Sequence, residues 1–231
     1  MKHTSTYHKT PTKVSTQLYK WSKAILVCVT FFVVFTLFSI FKTNFQSLDT
    51  TVNLWVISLH NDTAIFSAKI LSAAFDTTIL VIATLIISVF LFIIKRKGQS
   101  LLFVATVSGA ALFVTIIKNF TQVARPENHV ILASGFSYPS GHSASVVVFI
   151  GLIVYFVWLN WSDSQRVKTF SALSFGLVVA FVCFSRIYLN VHWLSDVVGG
   201  CLFGVFWLSF CIIVYEHLKN RVVFSSAKIH F

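Results

Sequence analysis

The chain has 231 residues, of which 56% are hydrophobic and only 11% charged, and its mean hydropathy is +0.82. Soluble domains carry about 25% charged residues, so this composition excludes an ordinary soluble protein and points to an integral membrane one. The formal charge of +11 does not mark a nucleic-acid binder, because the cations sit at the ends of apolar runs and not on one face interleaved with aromatics.

Residues 1–23 are polar and basic, with Lys2, Lys9, Lys13, Lys20, Lys23 and Pro11. They are expected to form a short unstructured tail. The apolar run Ala24–Phe41 is too long for a signal peptide and lacks a small-residue cleavage site, so it is a first membrane span. From Lys42 to Phe75 the pattern is mixed. Leu48, Val52, Trp55, Val56 and Leu59 recur at helical spacing with Asp49, Asn53 and His60 between them, which predicts an amphipathic helix in the interface. Ala64–Phe75, interrupted by Lys69, is a second segment of the same kind, and either could instead open a longer tilted span. His60 is expected to be a solvated residue of the polar face.

Thr77–Ile94 is a second span, closed by Lys95, Arg96 and Lys97. Ser100–Ile117 is a third and carries Gly109, Ala110 and Ala111, small residues that let helices approach. Ser143–Trp161 is a fourth. Phe170–Phe184 is a fifth, reaching full length by continuing through Ser185 and Arg186. Val197–Tyr215 is a sixth, with Gly200 and Gly204 at the spacing of a packed helix face. Cys28, Cys183, Cys201 and Cys211 lie in apolar runs without a C-x-x-C and read as small buried hydrophobes. The predicted fold is all-α: a six-helix transmembrane bundle over residues 24–217 with an interfacial amphipathic helix between the first two spans. Tails of residues 1–23 and 218–231 flank it.

Six spans put both termini on one side. That side collects the lysines of the first tail, Lys95, Arg96, Lys97, Arg166, Lys168, Lys219, Arg221 and Lys228, against Lys42, Lys69, Lys118, Arg125 and Arg186 on the other. The asymmetry predicts cytoplasmic termini.

Three stretches break the apolar pattern on the far side. Lys118 and Arg125 are seven residues apart in K-N-F-T-Q-V-A-R-P, two helical turns, and so are expected on one helix face as an anion clamp ahead of Pro126. As snorkelling cations they would belong on the cytoplasmic side, which the topology denies them. Pro139–His142 reads P-S-G-H and opens the fourth span. Ser140 suits an N-cap, Gly141 lets backbone approach a ligand, and free N–H groups at a helix start bind anions. The third stretch, S-R-I-Y-L-N-V-H-W-L-S-D, supplies Arg186, His192 and Asp196. His192 and Asp196 are four apart, which on a helix lets the carboxylate orient the imidazole and leave its other nitrogen free to attack. Arg186 adds a planar fork of donors suited to phosphate oxygens. Together these are cations for a phosphoryl group, two imidazoles for attack and leaving-group protonation, and one carboxylate.

K-x6-R-P, P-S-G-H and S-R-x5-H-x3-D in this order resemble the three signatures of the type 2 phosphatidic acid phosphatase (PAP2) superfamily, and every defining position is matched. The resemblance implies a metal-independent membrane phosphatase without a cofactor, working through a phosphohistidine. His192 would be the nucleophile, Asp196 its orienting carboxylate and His142 the acid. Lys118, Arg125, Arg186, Ser140 and Gly141 would hold the phosphoryl oxygens. The six-span form is similar to the bacterial cell-membrane branch, which includes phosphatidylglycerophosphate and undecaprenyl pyrophosphate phosphatases. An extracytoplasmic site leans toward undecaprenyl pyrophosphate, with phosphatidylglycerophosphate or phosphatidate as the alternative. The implied partners are the bilayer and a lipid phosphate, with no nucleic acid.

Two rivals stay open on the residues alone. One is a metal hydrolase built on His142, His192, Asp196 and His129, which the neighbouring cations and scarcity of carboxylates oppose. The other is a transporter or non-enzymatic lipid-phosphate binder, which would favour internal repeats and polar residues at mid-membrane.

Overall fold

The structure, a computed structural model, describes residues 13–160 and 163–227, with side chains over 22–160 and 163–220. Lys2, Lys9, Pro11, Trp161 and Lys228, used above, lie outside the described residues. All the regular structure among the described residues is helical: α1 (Lys13–Ile40), a 3-10 turn (Lys42–Phe45), α2 (Gln46–Ser58), α3 (Asp62–Ala74), α4 (Thr77–Ile93), α5 (Lys97–Thr121), α6 (Gly141–Asn160), α7 (Gln165–Tyr188) and α8 (Leu194–Ala227). Among the described residues six stretches are long and apolar enough to cross a membrane, including Asp62–Ile93, which joins α3 to α4. The chain is a multi-pass membrane bundle.

α6 and α8 form its centre, and α1, α5 and α7 pack around them. The core gathers Phe103, Val107, Ala110 and Val114 of α5, Ala144, Val148 and Leu152 of α6, and Phe203 of α8. Large apolar side chains also cover the outer surface, as Ile82, Leu85, Ile86 and Phe90 do on α4, while Thr84 and Ser88 of the same helix are buried. In water this inversion would be costly; in lipid the outside is as apolar as the core, and helices are joined by close approach and polar contacts instead. Gly200 and Gly204 let α6 and α8 approach closely. A Cβ on Gly200 would lie 2.5 Å from Ser140 O and 2.9 Å from Ser143 Cβ; one on Gly204 would lie 2.9 Å from Val147 Cβ. These two glycines draw the start of α6 against the first turns of α8.

Several boundaries differ from the sequence reading. α1 begins at Lys13, inside the stretch expected to be unstructured, because lysines and small polar residues preceding an apolar run are adequate helix formers. The segment Lys42–Phe75 holds two helices, α2 and α3, and α3 opens the longer span that continues into α4. His60, expected in solvent, places Nε2 2.7 Å from Tyr188 O, while Tyr188 Oη donates to Leu59 O at 2.8 Å. This reciprocal clasp, with Val56, Ala68, Leu189 and Val191 packed behind it, ties α2 and α3 to the end of α7. α5 stops at Thr121, where Gln122 turns left-handed at φ 49° and donates its N–H to Lys118 O at 2.9 Å. Arg125 therefore sits in a loop and not two turns along Lys118's helix. α8 begins at Leu194, so His192 precedes the helix that holds Asp196.

Alternation of direction brings the ends of α1, α5 and α7 together with the starts of α4, α6 and α8. All the ionisable residues singled out by the three motifs lie at that end.

Candidate active site

One cavity of about 610 Å³ opens at this end and is lined by Lys118, Arg125, Gly141, His142, Arg186 and His192, joined by Lys69, Ser72 and Asp76 from α3 and the start of α4. The three distant motifs thus meet at one space, through several local devices.

Asp196 is fully buried in the first turn of α8. Its Oδ2 accepts the Trp193 N–H at 2.9 Å, closing the helix start in the manner of a capping box. The same oxygen lies 3.5 Å from His192 Nδ1. Ser137, buried in the loop before α6, completes the link: its hydroxyl donates to Asp196 Oδ2 and lies 3.2 Å from His192 Nδ1. A hydroxyl that has given its proton to the carboxylate has only lone pairs left for the imidazole, which assigns the ring proton to Nδ1. Nε2 is then the unprotonated nitrogen, on the side where Arg125 Nη1 lies 3.4 Å away. Burial pushes the His192 pKa down to about 4 against the opposing pull of Asp196, so the ring is neutral over the ordinary pH range.

The cations are held in different ways. Lys118 Nζ donates to Phe136 O at 2.5 Å and Ser137 O at 2.9 Å, leaving one of its three protons for the cavity. Arg125 donates to the carbonyls of Ser134, Gly135, Phe136 and Val191. Much of its expected clamp is spent stapling the loop before α6 to the loop that carries His192; burial lowers its pKa. Arg186 donates to Ser72 Oγ, but its buried Nε has no partner. A buried, unpartnered guanidinium N–H beside a cavity is costly unless an anion completes it.

His142, in the first turn of α6, places Nε2 3.8 Å from Asp76 Oδ2. Asp76 also caps α4 by accepting the Thr78 N–H at 2.9 Å. The site therefore pairs each imidazole with a carboxylate. Ser140 caps α6 as expected: it is fully buried, and its hydroxyl accepts from Ser143 N and Ser143 Oγ at 3.4 and 3.0 Å. It is the N-cap of α6, and its side chain is turned away from the cavity that Gly141 lines. Ser140 N donates to Asp196 O at 2.9 Å, which fixes the start of α6 directly on the carboxylate's own residue.

Sequence reasoning missed Asp76, Ser137, Ser72 and Lys69. Only Lys69 carried a usable signal, as a cation opposite the basic side. His129, weighed as a metal ligand, places Nδ1 3.2 Å from Pro126 O and does not line the cavity. Among the described residues no three of His, Cys, Asp and Glu gather as a metal site would require.

Comparison with known proteins agrees with this end of the bundle. The PAP2 superfamily model matches residues 99–219. Phosphatidylglycerophosphatase B of Bacillus subtilis is 28% identical over 121 residues, 52% of this chain and 60% of that protein, so the chain spans under two thirds of that relative's length. A putative undecaprenyl-diphosphatase of Escherichia coli is 26% identical over 176 residues, 73% of this chain and 78% of that protein. The crystal structure of a transmembrane PAP2 type phosphatidylglycerolphosphate phosphatase from Bacillus subtilis superposes with a TM-score of 0.75 at 22% identity, over 85% of this chain and 97% of that one, which shows a shared fold. The matched segment contains every cation and imidazole of the cavity except Lys69, and by that match, over more than half its length, the chain belongs to the PAP2 superfamily.

Proposed function

We propose that this protein is a lipid phosphate phosphatase acting through His192. The observation that carries the reading is the single cavity lined by Lys118, Arg125, His142, Arg186 and His192, three cations and two imidazoles around one space. His192 Nε2 attacks phosphorus as the bond to the lipid oxygen breaks. His142, its Nε2 3.8 Å from Asp76 Oδ2 and facing the bound dianion, gives a proton to that departing oxygen. Lys118, Arg186 and the amides at the start of α6 hold the three phosphoryl oxygens as their charge spreads. Water then attacks the phosphohistidine, losing a proton to His142, and inorganic phosphate leaves with His192 restored. Every proton is carried by a side chain of the site, and the scheme requires no metal.

The preferred substrate is a polyprenyl pyrophosphate such as undecaprenyl pyrophosphate. Lys69 supports this: it is exposed, lines the same cavity, and lies outside all three motifs. A monoester dianion needs the motif cations; a pyrophosphate brings further charge for a fourth to meet. The names of the relatives include both undecaprenyl-diphosphatase and phosphatidylglycerophosphatase, so phosphatidylglycerophosphate is the alternative. Cation asymmetry orients the termini to the cytoplasm and the cavity to the outside of the cell membrane.

The test is phosphate release by purified protein from undecaprenyl pyrophosphate, phosphatidylglycerophosphate and phosphatidate in one detergent, with and without chelator and vanadate. Release that is fastest from the pyrophosphate, unaffected by chelator and blocked by vanadate is expected. Faster release from phosphatidylglycerophosphate would replace the substrate assignment. No release from any of them would overturn the enzyme reading, and loss to chelator with recovery on zinc would restore the metal hydrolase.

A further inference from the structure

Asp196 faces two ways. Oδ2 takes the Trp193 N–H and the Ser137 hydroxyl and points to His192, while Oδ1 has no hydrogen bond. What opposes Oδ1 is the ammonium of Lys42, 3.3 Å away, arriving from the turn that follows α1. Lys42 Nζ is in turn 4.0 Å from Asp49 Oδ2, on α2. Asp49 is buried and bound to the start of α8, accepting Ser195 N at 2.8 Å and Ser195 Oγ at 2.5 Å. Trp193, the residue before that helix, has no side-chain oxygen for capping, so Asp49 serves as a cap supplied from another helix. Neither Lys42 nor Asp49 belongs to the matched segment 99–219.

We propose that Lys42, held by Asp49, is a positioning residue for Asp196: it anchors Oδ1 and keeps the buried carboxylate ionised, so that Oδ2 stays on Ser137 and His192 Nδ1. This rests on the proposed role of His192. A fully buried carboxylate with one oxygen unmatched by any donor is stable as an anion only beside a compensating charge. Loss of that charge lets the carboxylate rotate or take up a proton, and either event removes the acceptor that holds His192 in its attacking tautomer. The interfacial segment between the first two spans thereby becomes part of the catalytic architecture and not merely a connection.

A second cavity gives an unusually direct test. A separate space of about 280 Å³ adjoins the ion pair, lined by Lys42, Asp49, Gln46, Thr50 and Trp193 among others. In Lys42→Ala it leads a small cation to the vacated position. Lys42→Ala is expected to lower kcat about 10- to 100-fold, as outer partners of a functional group do, with KM little changed. Ethylammonium at tens of millimolar, in order of magnitude, should restore part of that kcat, while tetramethylammonium, which cannot donate a hydrogen bond, should not. In an Asp196→Asn background Lys42→Ala should cost little more, because the charge it serves is gone.

Wild-type kcat in Lys42→Ala, a loss confined to KM, a loss that ethylammonium leaves untouched, or full additivity with Asp196→Asn would overturn the proposal. If Lys42→Ala proves unstable, Asp49→Asn keeps the acceptor for Ser195 N and is expected to give a smaller loss of the same kind. Should the wild type release no phosphate from any lipid, the functional reading fails separately. The positioning claim then stands or falls on ¹⁵N shifts of histidine-labelled protein, assigned with His192→Gln. Lys42→Ala should move the His192 signals from the Nδ1–H tautomer toward a mixture, and unchanged shifts would refute it.

Discussion

Replacing Gly200 by Ala tests whether the helix contact that assembles the site also sets its geometry. The added Cβ would meet Ser140 O at 2.5 Å and Ser143 Cβ at 2.9 Å. A carbon facing a carbonyl oxygen needs about 3.3 Å, so the start of α6 or the first turn of α8 must retreat by roughly 0.8 Å to reach that distance. Backbone atoms make the contact, so no flexible side chain can absorb it. Gly200 lies one turn beyond Asp196, and Ser140 lies two residues before His142 and donates its N–H to Asp196 O. The retreat therefore separates the two imidazoles directly. A misplacement of about 1 Å at reacting groups costs about 100-fold in rate, and overpacking costs about 1–3 kcal/mol of stability. Gly204→Ala is the control: its Cβ would meet Val147 Cβ at 2.9 Å and Ala144 O at 3.1 Å, a similar strain one turn further from the cavity. Phosphate release and thermal unfolding in the same detergent read both effects. The expected result is comparable destabilisation of the two variants, with kcat falling about 100-fold in Gly200→Ala and several times less in Gly204→Ala. Equal turnover in the two, or Gly204→Ala the slower, would refute the claim that this crossing sets the catalytic spacing.

His192→Ala should eliminate turnover, whereas Asp196→Asn, which keeps the shape but not the charge, should leave a residue of activity about 10²- to 10⁴-fold below wild type; full activity in His192→Ala, measured by phosphate release, would remove it as nucleophile. Lys69→Met should raise KM for undecaprenyl pyrophosphate about tenfold, the loss of one charge-assisted contact, while barely changing that for phosphatidate, and equal effects on both would deny it a second phosphate. Because the folded His192 pKa is lowered to about 4 while the unfolded imidazole titrates near 6.5, the unfolded state binds the extra proton first. Stability contributed by the neutral ring is thus complete above about pH 6.5 and lost progressively as pH falls toward 4. Melting temperatures across that window should fall less steeply in His192→Gln than in wild type, and parallel curves would show that the ring is not held neutral.

The motif residues were legible because ionisable groups inside an apolar chain need a reason. The span count, the glycine spacing on the last helix and the convergence of the three stretches follow from that one rule with hydropathy. The means of convergence were not legible. A seven-residue spacing suggested that Lys118 and Arg125 share a helix face, yet the helix stops at Thr121 and Arg125 reaches the cavity from a loop, spending most of its donors on carbonyls. His192 and Asp196 meet through a helix start and the Ser137 hydroxyl instead of along a helix. Ser137, Ser72 and Asp76 have no spacing that relates them to the histidines and arginine they serve; only tertiary packing does. Ser140 was legible as a cap from its place before an apolar run, and its hydroxyl accepts from Ser143 N and Oγ in that role.

Lys42 and Lys69 show how that gap could have been narrowed. Charge asymmetry divided the cations into a basic side and five exceptions, and the motifs accounted for only Lys118, Arg125 and Arg186. Lys42 and Lys69 looked like noise in an orientation rule. In the fold Lys42 pairs with the buried carboxylate behind His192, and Lys69 lines the cavity in front of it. All five exceptions therefore adjoin the site. Where a rule about loop charge is broken by cations, a buried or bound anion is the economical explanation, since it supplies the energy that keeps a cation at that position. Within this chain one exception faces a fixed anion, Asp196, and on the proposed function the cavity cations answer to one that comes and goes. The distinction has a consequence in salt: rising ionic strength should weaken substrate capture by exposed Lys69 and raise KM, while the Lys42–Asp196 pair, whose carboxylate is fully buried, should be screened far less and leave kcat nearly unmoved.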